Sequence, residues 1–232
     1  MVVGKGLIAS GFNEYATDES VLVFASGVSN SANKEIAAFD REKKLLENML
    51  ATHPEKKMIY FSTCSIYDTS LQHSDYVLHK LAMEKIIEQS DNDYIIFRIS
   101  NLAGKTDNPH TVLNFFIQHI LNGERFTIWT KASRNIIDIS DALSICRYII
   151  NRDLFCRQPV NVANPFNYPV IDMVKTIETY FGKKGNYTLI DKESSPVIDI
   201  STIKPIIKTL AINFDANYLQ RILKKYFPLH DL

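Results

Sequence analysis

The sequence predicts an α/β fold built around a parallel sheet. Short, nearly continuous apolar runs recur along the chain, as strands buried on both faces require. Segments of helical period or length separate them, which is the alternation of βα units. A chain of 232 residues, 46% of them hydrophobic, suffices for one sizeable core.

The elements follow in order. Strands are expected at residues 1–3, 21–25, 57–62, 94–99, 126–129 and 160–163. Helices are expected at residues 7–15, 33–51, 76–89, 111–121, 140–151 and 169–181. Asn33 reads as an N-cap, and Gly123 and Gly182 read as C-terminal stop signals. Ile36, Phe39, Leu45, Leu46 and Met49 give the second helix its apolar surface, while Arg41, Lys43, Lys44 and Glu47 stay wet. Pro165, Pro169, Pro196 and Pro205 punctuate the C-terminal third, and residues 213–226 read as a final helix. No long flexible linker divides the chain. Residues 1–105 form the core and 106–232 a lobe that returns elements to it, in one compact unit.

Charge narrows the function classes. Lys plus Arg total 26 and Asp plus Glu total 26. This balance argues against broad electrostatic binding to nucleic acid or to an anionic membrane. No apolar run approaches the ~20 residues of a membrane span. The opening MVVGKGLIASGF lacks a secretory pattern, so a cytoplasmic protein is expected. Cys64, Cys146 and Cys156 have neither metal-site spacing nor the number for a disulfide framework. No metal is expected, and a reducing compartment fits.

The first chemistry-bearing motif is Gly4-Lys5-Gly6-Leu7-Ile8-Ala9, strand to glycine turn to helix. It is a G-x-G-x-x-A variant of the dinucleotide fingerprint. Gly4 makes the tight turn, Gly6 leaves room for a pyrophosphate, and Ala9 lets helix and sheet approach. The first turn of the helix, at Leu7 and Ile8, offers free N–H groups to phosphate. An ordinary glycine turn is the alternative. A full unit carries an Asp or Glu roughly 20 residues on, at the carboxyl end of the next strand. Here Asp18 and Glu19 precede that strand, and Ser26 and Gly27 follow it. A cofactor would lie across Ser26 and Gly27 without the acidic clamp on its adenosine ribose.

The second motif joins a strand to a helix. Residues 57–62 run into Thr63-Cys64-Ser65-Ile66-Tyr67, and Tyr76-Val77-Leu78-His79-Lys80 opens the following helix. Residues four apart share a helix face, so Tyr76 and Lys80 can both meet a ligand. A nearby lysine cation would favour the phenolate of a tyrosine whose ordinary pKa is about 10. Thr63 would hydrogen-bond a substrate oxygen. Read alone, Y-x-x-x-K also fits a solvated helix face, and it recurs at Tyr180 and Lys184 where packing is expected. Cys64 as a nucleophile lacks the glycines of an elbow, so a buried thiol is the simpler reading.

Taken in order, these motifs resemble the extended short-chain dehydrogenase/reductase family, in its nucleotide-sugar epimerase and reductase branch. Gly4, Gly6 and Ala9 match the glycine turn. Phe24-Ala25-Ser26-Gly27 matches the segment flanking the cofactor, and Ser62 to Tyr67 the hydroxyl segment. Tyr76 and Lys80 match the tyrosine and lysine, Arg98-Ile99-Ser100-Asn101 the Arg-x-x-Asn segment, and Arg134 to Asp141 the later Arg–Asp segment. The resemblance implies a shortened Rossmann-like parallel sheet flanked by helices, with a small C-terminal substrate-binding lobe. It implies NAD or NADP held by Gly4, Gly6, Leu7, Ile8, Ser26, Gly27, Tyr76 and Lys80. It further implies a nucleotide-sugar whose diphosphate meets Asn101 and Arg134, catalysis by Thr63, Tyr76 and Lys80, and a homodimer paired through the second and third helices. Polysaccharide or cell-surface sugar synthesis is the pathway implied.

The sequence departs from that family in three places. Two strands and their helices are missing between the first helix and Val21, which leaves the first strand near a sheet edge. Cys64 and Ser65 stand where the dehydratases carry an acidic pair, which argues against a 4,6-dehydratase. His79 stands where Ser often precedes the lysine, and is expected to point away from the Tyr76–Lys80 face. Arg98 also reads as an ion-pair residue and Asn101 as a brace. Trp129 reads as a base-stacking or core residue, Lys131 as part of a small basic cluster, and Asp138 and Asp141 as braces. Two function classes remain: an NAD(P)-dependent reductase or epimerase, and a noncatalytic nucleotide-sugar-binding or scaffold protein of the same fold.

Overall fold

The computed structural model describes residues 1–31 and 33–229. Residues 230–232 of the expected lobe lie outside the described residues. Nine strands and eight helices are described, with two short 3-10 turns. The strands are β1 (Val2–Val3), β2 (Val21–Phe24), β3 (Lys57–Thr63), β4 (Tyr94–Ile99), β5 (Asn101–Ala103), β6 (Arg125–Asp138), β7 (Gln158–Val162), β8 (Asn167–Pro169) and β9 (Asn186–Ser194). The helices are α1 (Leu7–Ser10), α2 (Ile36–Thr52), α3 (Asp75–Glu88), α4 (Val112–Asn122), α5 (Ile139–Asn151), α6 (Val170–Phe181), α7 (Lys204–Thr209) and α8 (Tyr218–Tyr226).

The main sheet is wholly parallel, with spatial order β1-β2-β3-β4-β7. Alternation along its strands builds two cores. Val21, Val23, Ile59, Phe61, Ile95 and Phe97 face one side, in the larger core shared with α5 and the lobe. Leu22, Phe24, Met58, Tyr60, Tyr94 and Ile96 face the other, against Leu46 and Leu50 of α2 and Met83 and Ile87 of α3. The α/β fold with its flanked parallel sheet is therefore as the sequence predicts, and β1 lies at the edge.

β1 is short but fixed. Val2 pairs with Val23 and Val3 with Phe24. Gly4 then turns the chain with φ +134°, and a Cβ there would sit 2.4 Å from the Ala25 carbonyl oxygen, so only glycine fits. The expected helix over residues 7–15 breaks into α1 and a 3-10 turn at Asn13–Tyr15. Gly11, at the break, lies against Leu143 of α5, where a Cβ would meet Cδ1 at 2.2 Å. Close approach to α5 thus overrides the local helical pattern.

Other elements differ from expectation for local reasons. Asn33 does not cap α2: its side chain accepts the Glu35 N–H at 2.8 Å, and the helix begins after Glu35. The single strand expected at 126–129 is the start of β6, whose successive stretches pair with β9, β8 and β5. The final helix is shorter than expected, because the Asp215 side chain accepts from Asn213 and from the Asn217 N–H, each at 2.8 Å, and holds a turn ahead of α8. α7 was not expected; Pro205 opens its first turn. Asn135 and Asn164 fasten the lobe to the sheet: Asn135 donates to the Asn164 carbonyl at 2.8 Å and accepts its N–H at 3.0 Å. Among the described residues, no helix is long and apolar enough to cross a membrane.

Candidate active site

One cleft of about 520 Å³ opens at the carboxyl ends of β1 to β4 and runs toward the lobe. A parallel sheet places the loops after successive strands side by side there, which is where ligands of open α/β sheets bind. Lys5, Gly6, Leu7 and Ile8 line the cleft after β1, Ser26 and Gly27 after β2, and Thr63, Cys64 and Ser65 after β3. Ser100 and Asn101 line it after β4, and Arg134 and Asn135 come from β6. A Cβ on Gly6 would meet no atom within 4 Å, so this backbone borders open space. Gly4 is not among the lining residues; its part is the turn beneath them.

Tyr76 and Lys80 sit one helical turn apart on α3, which Ser74 caps by accepting the Val77 N–H at 3.3 Å. The Thr63 hydroxyl bears on the Tyr76 phenol, whose pKa it lowers. Thr63 accepts the Ser65 N–H at 3.0 Å and donates to Ser65 Oγ at 2.9 Å, so a tight turn fixes its hydroxyl. Thr63, Tyr76 and Lys80 all line the one cleft. Burial pushes the Tyr76 phenol up to about 12, Thr63 opposes this, and the nearby Glu42 carboxylate adds to it. Tyr76 therefore carries its proton at neutral pH, contrary to the phenolate that a lysine neighbour was expected to favour.

A smaller contribution comes from a carboxylate that the sequence pattern did not single out. Glu42 of α2 is fully buried and receives four hydrogen bonds. Lys80 Nζ and the Tyr60 hydroxyl donate to Oε1 at 2.9 and 2.7 Å, while the Val28 N–H and His79 Nε2 lie 2.6 and 3.0 Å from Oε2. Burial opposes charge on Glu42, but the His79 contact, Lys80, Tyr60 and Val28 outweigh it and hold the carboxyl well below its usual range. Lys80 is 3% exposed and also reaches the Tyr60 hydroxyl at 3.1 Å. Burial pulls its pKa down, and Glu42 pulls it back up. Lys80 is thus a compensated cation, not a free one. His79 does not point away from this group, as expected, but joins it through the second oxygen of the same carboxylate. A legible sign existed: Glu42 falls between Phe39 and Leu46 at helical spacing, on the face that must be apolar.

On the lobe side, Asn101 donates to the Asn135 carbonyl at 2.8 Å, bracing β5 against β6 while lining the cleft. Arg134 donates to Ser194 Oγ at 3.0 Å and lies 3.6 Å from the buried Asp68 carboxylate. Burial raises the Asp68 carboxyl, but bonds from Ser70 and Ser194 and the charge of Arg134 bring it below its usual range. Arg98 pairs with Glu84 at 2.5 Å, the ion-pair role. Cys64 is buried, donates to the Arg98 carbonyl at 3.1 Å, and is pushed by burial to about 12, so it is no nucleophile. Trp129 and Lys131 lie outside the cleft, against Lys192 and Asp191. Asp138 caps α5, and Asp141 accepts the Tyr218 hydroxyl at 2.6 Å, both as braces. Tyr180 and Lys184 serve packing and a surface pair, with the tyrosine donating to the Phe227 carbonyl at 3.0 Å.

Residues 12–163 match the model of the NAD dependent epimerase/dehydratase family. No curated protein matches the sequence. Solved structures share the fold at low identity. A UDP-N-acetylglucosamine 4-epimerase from Bacillus cereus is 18% identical with a TM-score of 0.70, over 99% of this chain and 83% of that one. A UDP-glucuronic acid 4-epimerase from Bacillus cereus, in complex with NAD, is 17% identical with a TM-score of 0.72, over 94% and 76%. A dTDP-glucose 4,6-dehydratase from Bacillus anthracis, in complex with NAD, is 18% identical with a TM-score of 0.65, over 88% and 72%.

Removing one partner of a buried ion pair leaves the other uncompensated. Lys80→Met is expected to lower the unfolding free energy by about 3–5 kcal/mol, and Lys80→Met with Glu42→Gln by clearly less than the sum of the two single changes. Denaturant unfolding of the four proteins checks this; strict additivity would mean that the pair is not coupled.

Proposed function

Because the chain belongs to the NAD-dependent epimerase/dehydratase family, we propose that it is an NAD(P)-dependent oxidoreductase or epimerase acting on a nucleotide-linked sugar. The observation that carries this reading is that Thr63 and Tyr76, the latter a phenol raised by burial, line the same cleft as the open backbone at Gly6. The nicotinamide group, when bound, supplies or accepts hydride, chemistry that protein side chains lack. Gly6, where the backbone leaves room, and Ser26 and Gly27, which also line the cleft, would hold its phosphate and ribose side. Thr63 orients the reacting oxygen of the sugar. Tyr76 gives its proton to that oxygen or takes it back. Lys80 stiffens the wall beneath Tyr76 and, through Glu42, sets the charge around it. Asn101 and Arg134 take the diphosphate of the sugar nucleotide, Arg134 by trading its Asp68 and Ser194 contacts for phosphate oxygens. A cytoplasmic role in making polysaccharide precursors fits this chemistry and the buried free thiols of Cys64 and Cys146.

A binding-only role is the second reading. It is favoured by the closure of Lys80 by Glu42 and by the sheet that ends at β1. Tyr76→Phe separates the two. If the protein is an enzyme, the variant keeps nucleotide-sugar affinity within about threefold and loses about 100-fold or more in turnover, read by nicotinamide absorbance and sugar product analysis. Equal turnover in both proteins removes Tyr76 from the reaction.

We also propose a homodimer paired through α2 and α3. Leu78 and Leu81, three residues apart on α3, and Ile36 of α2 are exposed, and exposed apolar side chains on one helix face support a contact site. Sedimentation should show a dimer that Leu78→Asp with Leu81→Asp converts to a folded monomer. A wild-type monomer at working concentration would remove the interface.

A further inference from the structure

A dinucleotide on a doubly wound sheet straddles the point where strand order reverses, with one mononucleotide on each side. The present sheet has no such point. Its order β1-β2-β3-β4-β7 follows the chain in one direction, and among the described residues β1 pairs only with β2. Everything that lines the cleft therefore lies on one side of the glycine turn or directly at it.

The lining is equally one-sided in chemistry. Among the described residues Asp68 is its only carboxylate, and it sits at the lobe end, bound by Ser70, Ser194 and Arg134. Among the described residues, no acidic residue lines the outer end of the cleft, where a second ribose would need one. Asp18 is turned to the Ser20 N–H and hydroxyl, each at 2.7 Å, at the amino end of β2 and outside the cleft. Two cations stand at the outer end instead. Lys5 adjoins Gly6, and Arg41 of α2 donates to Ser26 Oγ and to the Ser26 carbonyl at 3.1 and 2.8 Å. Neither has a carboxylate partner at salt-bridge distance among the described residues. A cleft that ends in open backbone and two such cations is complete for a ligand that ends in a phosphate.

We propose that this cleft reads only the nicotinamide mononucleotide half of its cofactor, and that the adenosine half passes beyond the free edge of β1 without contributing affinity. The inference rests on the cofactor reading proposed above and narrows it. Gly6, Ser26 and Gly27 would take the ribose phosphate and Lys5 and Arg41 would neutralise it, in the cleft that Thr63 and Tyr76 also line. NAD and NADP, which differ only in the adenosine half, are then equivalent.

Calorimetric titration of the full chain with reduced nicotinamide mononucleotide, NADH and NADPH tests this, with AMP as competitor. The three reduced compounds should bind with Kd values within about threefold of one another, and AMP at millimolar concentration should not displace them. Lys5→Ala and Arg41→Ala should weaken all three by a similar factor. NADH or NADPH binding about 30-fold or more tightly than the mononucleotide, or displacement by AMP, would overturn the inference while leaving the cofactor reading intact. Failure of all three to bind would overturn both.

Discussion

The buried Glu42–Lys80 pair is the constraint around which the reactive end of the molecule is organised. Glu42 joins α2 to the loop after β2 through Val28, to β3 through Tyr60, and to α3 through His79 and Lys80. Gly27 must be glycine because a Cβ there would lie 2.5 Å from Lys80 Nζ and 2.9 Å from Glu42 Oε1. Both charges are out of water, so each is tolerable only because the other and the surrounding donors are in place. One carboxylate thus fixes the floor of the cleft, the height of the loop that covers it, and the charge felt by Tyr76.

Around that fixed end the sheet is asymmetric. Toward the lobe, β4 and β7 continue it, and the long β6 carries Arg134 and Asn135 back over the cleft. Toward β1 it ends, among the described residues, with β1 paired to β2 alone. The glycine turn survives the shortening because its requirements are local. Gly4 needs only the Ala25 carbonyl to turn against, and Gly6 needs only space. Recognition of a full dinucleotide is not local, since it needs strands on both sides of the turn. The short sheet therefore keeps the glycine turn and has strands on only one side of it among the described residues.

The parts legible in the sequence are those set by short-range pattern. β2, β3 and β4 read as strands because burial on both faces demands unbroken apolar runs. Tyr76 and Lys80 read as neighbours because helical spacing puts them on one face. Thr63 read as adjacent to them because β3 ends there. What was missed depends on distant partners. β5, β8 and β9 are strands by virtue of pairing with β6, and most of β9 is exposed, with no apolar period to announce it. Arg134 was legible as a cation near the cleft, but not its hold on Asp68, which is brought in from the loop after β3. The tuning of Tyr76 was misread for the same reason: its burial, the main cause, is set by packing from other elements, and the Glu42 carboxylate that adds to it lies on another helix. A charged residue in the apolar stripe of α2 was the one local clue.

Burial beside a compensated lysine keeps the Tyr76 phenol protonated well above neutral pH. The most direct test is titration of the tyrosine Cζ resonances in isotopically labelled protein, with Tyr76→Phe identifying the signal. The account predicts that Tyr76 is still protonated at pH 10, with its midpoint near 12. Half-ionisation by about pH 9, below the ordinary phenol value of about 10, would show that Lys80 acts as a free cation and would contradict the account.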